Sequence, residues 1–448
     1  MASAAEQLAS NINFSAFGKA TELKKRLWFT LGALIIYRLG TYIPIPGIDP
    51  GALAEVFKQN AGGILGMFDV FAGGALGRMT IFALNIMPYI SASIIIQLMT
   101  TISPRLEALK KEGESGRRKI TQYTRYGTVF LTILQGYGIA VGLEGMSAGS
   151  AGGVVLDPSM AFRISTVITL LGGTIFLMWL GEQITARGIG NGISLIIFAG
   201  IVAELPSALV GVLELGRTGA LSALFIVFLL IMVFAVIGSI VFVERAQRRL
   251  LIQYPKRQAG NKMTGGEASH LPLKLNTAGV IPPIFASSLL LLPITVANFS
   301  ADSGPEWLVT VTALLGRGQP LYMAVYVLGI VFFCFFYTAI VFNPQDTAEN
   351  LRKHGGFIPG IRPGQRTADY LDRVLTRLTV VGAAYLSAVC ILPEILVSQY
   401  AVPFYFGGTS LLIVVSVTMD TVGQIQSHLL AHQYEGLIKK SKLRGRRR

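Results

Sequence analysis

Four histidines, two cysteines and a few acids near the ends of apolar runs are the groups in this 448-residue chain that could carry acid–base, nucleophilic or metal chemistry. Their spacing offers little of it. His428 and His432 stand four residues apart and could share a metal ion, but no third ligand is evident, and the plainer reading is two solvated tail histidines. His270 and His354 fall in loops. With no histidine inside an apolar run, an intramembrane metalloprotease or serine protease has no base where it needs one. Neither H-E-x-x-H nor G-x-x-x-x-G-K-[ST] occurs, so the chain carries no P-loop for ATP. Cys334 and Cys390 both lie within apolar runs, which speaks against a disulfide framework and against a cysteine metal site. Arg38, Glu182, Glu204 and Asp420 sit toward the ends of such runs, whereas ion-coupled transporters keep a charge near the bilayer midplane.

The elements that would position these groups are membrane spans. The chain is 52% hydrophobic and 14% charged, against about 25% charged for a soluble domain. Ten apolar runs are long enough to cross, beginning near Leu27, Met79, Tyr126, Ile164, Ile193, Leu221, Val280, Leu321, Leu378 and Phe404. The polar N-terminus and the long first run argue against a cleavable signal peptide. All but six of the 38 basic residues fall in the N-terminal segment, the even-numbered connections and the tail. The exceptions are Arg38, Lys58, Arg78, Arg163, Arg217 and Arg317. The positive-inside rule therefore places both termini in the cytoplasm.

Ten spans divide naturally into two halves of five, the second inverted relative to the first, with the boundary near Gly216. Span 2 carries Pro88 with Asn85, Ser91, Ser93 and Gln97, and span 7 opens on Pro282-Pro283 followed by Ser287 and Ser288. Proline within a spanning helix frees backbone groups that something must satisfy. The two segments read either as walls of a cavity or as kinked packing helices with serine at close crossings. Asn85 faces either that cavity or a neighbouring helix. The stretch "GGILGMFDVFAGGALGR", Gly62–Arg78, is apolar, glycine-punctuated and too short to span, and it falls on the outer side.

Taken together, "PIPGID", "IMPYISASIIIQL", "KKEGESGRRKITQYTRYGT", "FLMWLGEQITARGIGNGISLIIFAGI", "VFVERAQRRL", "AGVIPPIFASS", "FFCFFYTAIVFNP", "PGIRPG" and "VPFYFGGTSLLIVV" resemble the SecY family, the large subunits of the bacterial protein-conducting channel. The resemblance covers essentially the whole chain. It implies an all-α integral membrane protein of ten transmembrane helices, in two inverted five-helix halves that close like a clamshell around a central pore. The implied organisation is a cytoplasmic segment 1–26, an N-terminal half 27–215 with a plug at 62–76, a C-terminal half 216–425 with cytoplasmic loops 244–274 and 344–377, and a basic cytoplasmic tail 426–448.

The implied function is passage of unfolded preproteins across the bacterial inner membrane, with sideways release of transmembrane segments into lipid. Carried over by motif, the pore ring is Ile86, Ile90, Ile193, Ile197, Ile284 and Ile413. The plug is Ile64, Leu65, Met67, Phe68, Val70 and Phe71, with Asp69 on its wet side. A lateral gate, at which spans 2 and 3 part from spans 7 and 8, is lined by Ser91, Gln97, Gln122, Phe285 and Ser287. Arg248, Arg249, Lys256, Arg257 and Arg362 are implied to dock the SecA ATPase or the ribosome. The implied partners are further SecE and SecG, signal peptides and nascent chains, and membrane lipids. No cofactor is implied, and the chain is a passive channel, not an enzyme, driven by SecA or the translating ribosome. Two other functions compete, a small-solute transporter and a poreless scaffold. The charge-poor span centres and basic loops stand against the first, the polar, proline-bearing spans 2 and 7 against the second.

Overall fold

The computed structural model describes residues 21–59, 69, 72–145, 153–219, 222–254, 257–259, 262–264, 268–298, 319–400 and 408–445. In chain order the helices are α1 (Thr21–Gly40), α2 (Pro50–Gln59), α3 (Met87–Ile102), α4 (Pro104–Lys111), α5 (Glu114–Gly145), α6 (Met160–Arg187), α7 (Gly192–Arg217) and α8 (Ala223–Arg245). Four strands follow: β1 (Gln247–Gln253), β2 (Arg257–Ala259), β3 (Lys262–Thr264) and β4 (Ala268–Lys274). The chain closes with α9 (Ile281–Asn298), α10 (Pro320–Val341), α11 (Pro344–Lys353), α12 (Gln365–Tyr400) and α13 (Gly408–Gly445). Among the described residues seven helices are long and apolar enough to cross a membrane: α5, α6, α7, α8, α10, α12 and α13. The predicted spans 1, 2 and 7 correspond to α1, α3 and α9, which are shorter or carry more charge.

Two compact units emerge, Met1–Leu209 with Ile413–Arg448, and Val210–Leu412. In the first, α5 packs on both α3 and α6, and α1 lies against α6. Ala92 comes close at Gly127, and Leu170 at Gly136, so small residues mark the crossings. The turn between α6 and α7 gathers distant helices. Thr30 accepts the Ile189 N–H at 3.0 Å, Thr185 the Gly192 N–H at 2.9 Å and Gln424 the Gly190 N–H at 2.8 Å. Gly190 sits at φ +87°, which a residue with a Cβ adopts only under strain. Through Gln424, the last helix is bound to the first unit.

In the second unit, α10 packs on α9 and α12. Phe285 of α9 meets Phe333 of α10 edge to face at 5.7 Å, and the buried hydroxyls of Tyr326 and Thr409 bond at 2.9 Å. The spans are helical as expected, but the basic connection after α8 is not mere loop. β1 pairs antiparallel with β4, and β2 with β3. Leu250 and Ile252 turn inward and their neighbours outward, the two-residue period of a half-buried strand.

All three prolines expected to break spans, Pro88, Pro282 and Pro283, instead begin them. α3 starts at Met87 with Pro88 in its first turn, and α9 starts at Ile281 with Pro282 and Pro283 in its first turn. There the missing N–H has no partner to lose and the fixed φ suits a helix start. The apolar run that predicted span 2 from Met79 is therefore two things: residues 79–86 in turns, then a 16-residue helix.

Candidate functional site

The turn-rich segment 72–86 lies in the interior of the first unit. Ala72, Ala75, Leu76, Met79 and Ala83 share an apolar core with Ile45, Leu53, Val56, Leu143, Val154 and Phe162. Ile45 donates its N–H to Met79 O at 2.9 Å and Ile81 its N–H to Ile43 O at 3.0 Å, so residues before α2 pair with the segment. Phe82 stacks between Tyr37 and Phe176, at 6.1 and 5.9 Å. Gly40 and Gly173 permit this approach: a Cβ on Gly40 would enter the Phe82 ring, and one on Gly173 would meet the Ile81 carbonyl. Non-helical backbone at membrane depth is tolerated where protein buries and satisfies it, and here it is buried. Asn85, at φ +49° and only 2% exposed, is buried within this unit.

The N-terminal end of the segment is held by polar groups. Tyr37 Oη donates to Ala72 O at 3.3 Å and Arg38 Nη1 to Gly73 O at 3.0 Å. Arg78 Nη2 lies 3.8 Å from Glu204 Oε1, and its guanidinium covers the Tyr42 ring at 4.5 Å. Asp69 is half-buried rather than wet. Its Oδ1 accepts the Gly77 N–H at 2.7 Å and its carbonyl accepts the Gly74 N–H at 2.9 Å. Burial raises the Asp69 carboxyl above the usual range, against the opposing pull of the Gly77 N–H.

Of the predicted ring, Ile86, Ile90, Ile197 and Ile413 are buried and Ile193 is half-buried, all in the first unit. Ile86 is the N-cap of α3 and Ile90 donates its N–H to the Ile86 carbonyl. Ile193 packs on Gly181 of α6. Ile284, in the second unit, is half-buried, and its carbonyl accepts the hydroxyls of Ser287 and Ser288. Among the predicted gate residues, Ser91, Phe285 and Ser287 are buried and Gln97 is half-buried. Gln122 is exposed and bonds Tyr126 at 2.9 Å. All six predicted plug side chains lie outside the described residues.

Of the predicted docking residues, Arg248, Arg249 and Arg362 fall on one folded body of the second unit. Leu250 and Leu273 of the β1–β4 ladder form a core with Ile358 and with Leu371, Val374, Leu375 and Leu378 of α12. Arg248 and Arg249 are exposed on β1. Arg362 is exposed in a turn flanked by Gly360 (φ +81°) and Gly364 (φ +110°), and its carbonyl accepts the Thr367 hydroxyl at 2.9 Å. Lys256 lies outside the described residues, as does the Arg257 side chain, although Arg257 begins β2. Such clustered, solvated arginines suit phosphate or carboxylate surfaces.

His428 is exposed, and Cys334 and Cys390 are free and buried. Sequence reasoning passed over Tyr37, Arg38, Arg78 and Glu204. The signal was present: Arg38 and Arg78 are two of the six basic residues outside the segments expected to be cytoplasmic.

A family model described as SecY matches residues 80–422. The "Protein translocase subunit SecY" of Escherichia coli K12 is 56% identical over 432 residues, 96% of this chain and 97% of that one. Among solved structures, one described as showing that the plug domain of the SecY protein stabilises the closed state superposes at TM-score 0.59 and 18% identity, covering 91% of this chain and 92% of its own. Sec61 from a canine ribosome–channel complex superposes at TM-score 0.61 and 18% identity, covering the same shares.

Proposed function

This chain belongs to the SecY family, and on that premise we propose how it conducts and seals. It is the pore-forming subunit of a protein translocon and a multi-pass membrane protein. The observation that carries this is the 56% identity to a translocase subunit along 96% of the chain.

A translocating polypeptide cannot leave bare backbone polar groups in lipid, where each costs several kcal/mol. It needs an aqueous path, and the idle path must not pass ions. Ile86, Ile90, Ile193, Ile197, Ile284 and Ile413 form an apolar constriction that dewets when empty and deforms around a peptide. The segment 62–76 closes it from outside as a plug. Spans 2 and 3 separate from spans 7 and 8 to release apolar segments into lipid past Ser91, Gln97, Gln122, Phe285 and Ser287, as transfer energetics favour. The two bodies that part follow the halves 27–215 and 216–425, except that the last helix from Ile413 onward goes with the first. The buried, tightly tied residues 75–86 support a fixed root for the plug.

Both termini and the basic loops 244–274 and 344–377 face the cytoplasm of a bacterial inner membrane. Arg248, Arg249, Lys256, Arg257 and Arg362 meet the ribosome or SecA, which supply the energy of a chain that is itself a passive channel. The canine relative is described within a ribosome complex, and clustered arginines suit ribosomal RNA phosphates. SecE and SecG complete the channel. Reconstitution in liposomes with SecE, SecG, SecA, ATP and an unfolded preprotein tests the reading. Protection of the preprotein from external protease is expected, and its absence in an otherwise competent assay would refute a channel.

A further inference from the structure

The polar contacts at the N-terminal end of segment 72–86 are unlike the apolar packing of the rest of it. Residues 75–83 are tied by core burial and backbone pairing. Residues 72–74 share that burial at Ala72 but also take side-chain hydrogen bonds from α1, and Gly74 lies beside the Arg78–Glu204 pair. Arg38 takes the Gly73 carbonyl and Tyr37 the Ala72 carbonyl. Gly73 and Gly74 are both in the left-handed region, at φ +65° and +78°. A Cβ on Gly73 would press on Arg38 and on the Gly200 backbone, and one on Gly74 would sit between Arg78 and Glu204. Two consecutive glycines thus turn the chain where α1 and α7 come nearest to it.

We propose that Arg38, Arg78 and Glu204 form a releasable latch on the Gly73–Gly74 turn, and that opening this latch unseals the idle channel. The proposal rests on the plug reading of residues 62–76. A catch that must open repeatedly cannot depend on buried charge, since breaking a desolvated pair strands an expensive ion. These charges are solvated: the Arg78 side chain is 40% exposed and that of Glu204 25%. Each arginine also keeps a second partner when the turn leaves. Both guanidinium groups lie over Tyr42, and Arg38 also donates to the Tyr42 hydroxyl at 3.3 Å. Opening therefore gives up a few polar contacts and the small buried surface of Ala72, Gly73 and Gly74, and leaves the arginines on their aromatic platform.

The test uses the complete complex with its small subunits in proteoliposomes, with two readouts. The first is hydrogen exchange of the amides at 74–80. The second is ion conductance of the idle channel. Glu204→Gln should raise opening of the turn about fivefold, as expected for a solvated pair. Arg38→Gln removes a charged hydrogen bond and should raise it about tenfold or more. Both variants should leak more than wild type. The reversed pair, Arg78→Glu with Glu204→Arg, should restore both readouts toward wild type. Unchanged exchange in Glu204→Gln and Arg38→Gln would overturn the latch, whatever the conductance. Deleting residues 62–71 separates the two readings. If that deletion leaks while the latch variants exchange faster but stay sealed, the latch does not control the seal. If the deletion itself stays sealed, the plug reading fails, and with it the latch's role in gating.

Discussion

Gln253 and Phe357 exchange both of their backbone hydrogen bonds, at 2.9 and 3.0 Å, across more than a hundred residues of chain. The end of β1 is thereby joined to the loop before α12, and two basic connections become one body. Gly356 makes the approach possible, since a Cβ there would lie 3.0 Å from the Tyr254 ring and 3.2 Å from Ile252. Gly356→Val should force the loop off the hairpin at a loss of about 1–3 kcal/mol, typical of overpacking. Trypsin should then cut at Arg248, Arg249 and Arg362 several-fold faster, with cleavage elsewhere unchanged. Equal rates in wild type and variant would place the join elsewhere.

Arg362 should matter by its charge alone. Its carbonyl, not its side chain, closes the turn with Thr367, and Gly360 and Gly364 shape the backbone. Arg362→Glu should therefore leave the turn and membrane insertion of the protein intact while lowering SecA-driven export several-fold. The loss should be steepest at low salt, where exposed charges are least screened. Export at the wild-type rate across salt concentrations would remove Arg362 from the docking surface.

The long helical spans were legible because apolar length is a strong signal. The pairing of the two basic connections was not, because β1 reaches Phe357 through backbone bonds that leave no mark on side-chain pattern. Span 2 misled for a physical reason. Residues 79–86 are apolar because protein buries them, and burial within a membrane protein reads the same as helix within lipid. Left-handed Asn85 and the proline at 88 were the signals that the helix starts later. Of the candidate site, individual isoleucines were recognisable only by resemblance, since any of them serves equally as core. Arg38 and Arg78 stood out as basic residues outside the segments expected to be cytoplasmic, but their partners, a backbone carbonyl and a glutamate from a distant helix, did not.

Pro88 offers a direct check on where α3 begins. In the first turn its ring displaces no hydrogen bond, so Pro88→Ala should change stability by under about 1 kcal/mol. In a helix interior the same substitution would relieve about 3 kcal/mol. Thermal denaturation of the purified complex distinguishes these. A midpoint within a degree or two of wild type is expected. A rise of many degrees would put the proline inside a continuous span.

Asp69 should make the turn from Gly74 to Gly77 sensitive to pH. Its carboxyl is raised by burial, so the folded protein takes up this proton at higher pH than the unfolded chain does, where the value is about 3.9. The sign follows. The group's favourable contribution is fully present below about pH 3.9 and is lost as pH rises through the folded-state value. At pH 7 the ionised carboxylate is therefore a local burden, partly offset by the Gly77 N–H it accepts. Asp69→Asn keeps an oxygen for that N–H and removes the charge. It should slow exchange of the Gly77 amide at pH 7, corrected for intrinsic rates, and should flatten its dependence between pH 4 and 7. Asp69→Ala removes the acceptor as well and should speed exchange at both ends of that range. Faster exchange at pH 7 in Asp69→Asn would mean that the charge itself holds the loop, through Arg78, and that burial is the smaller effect.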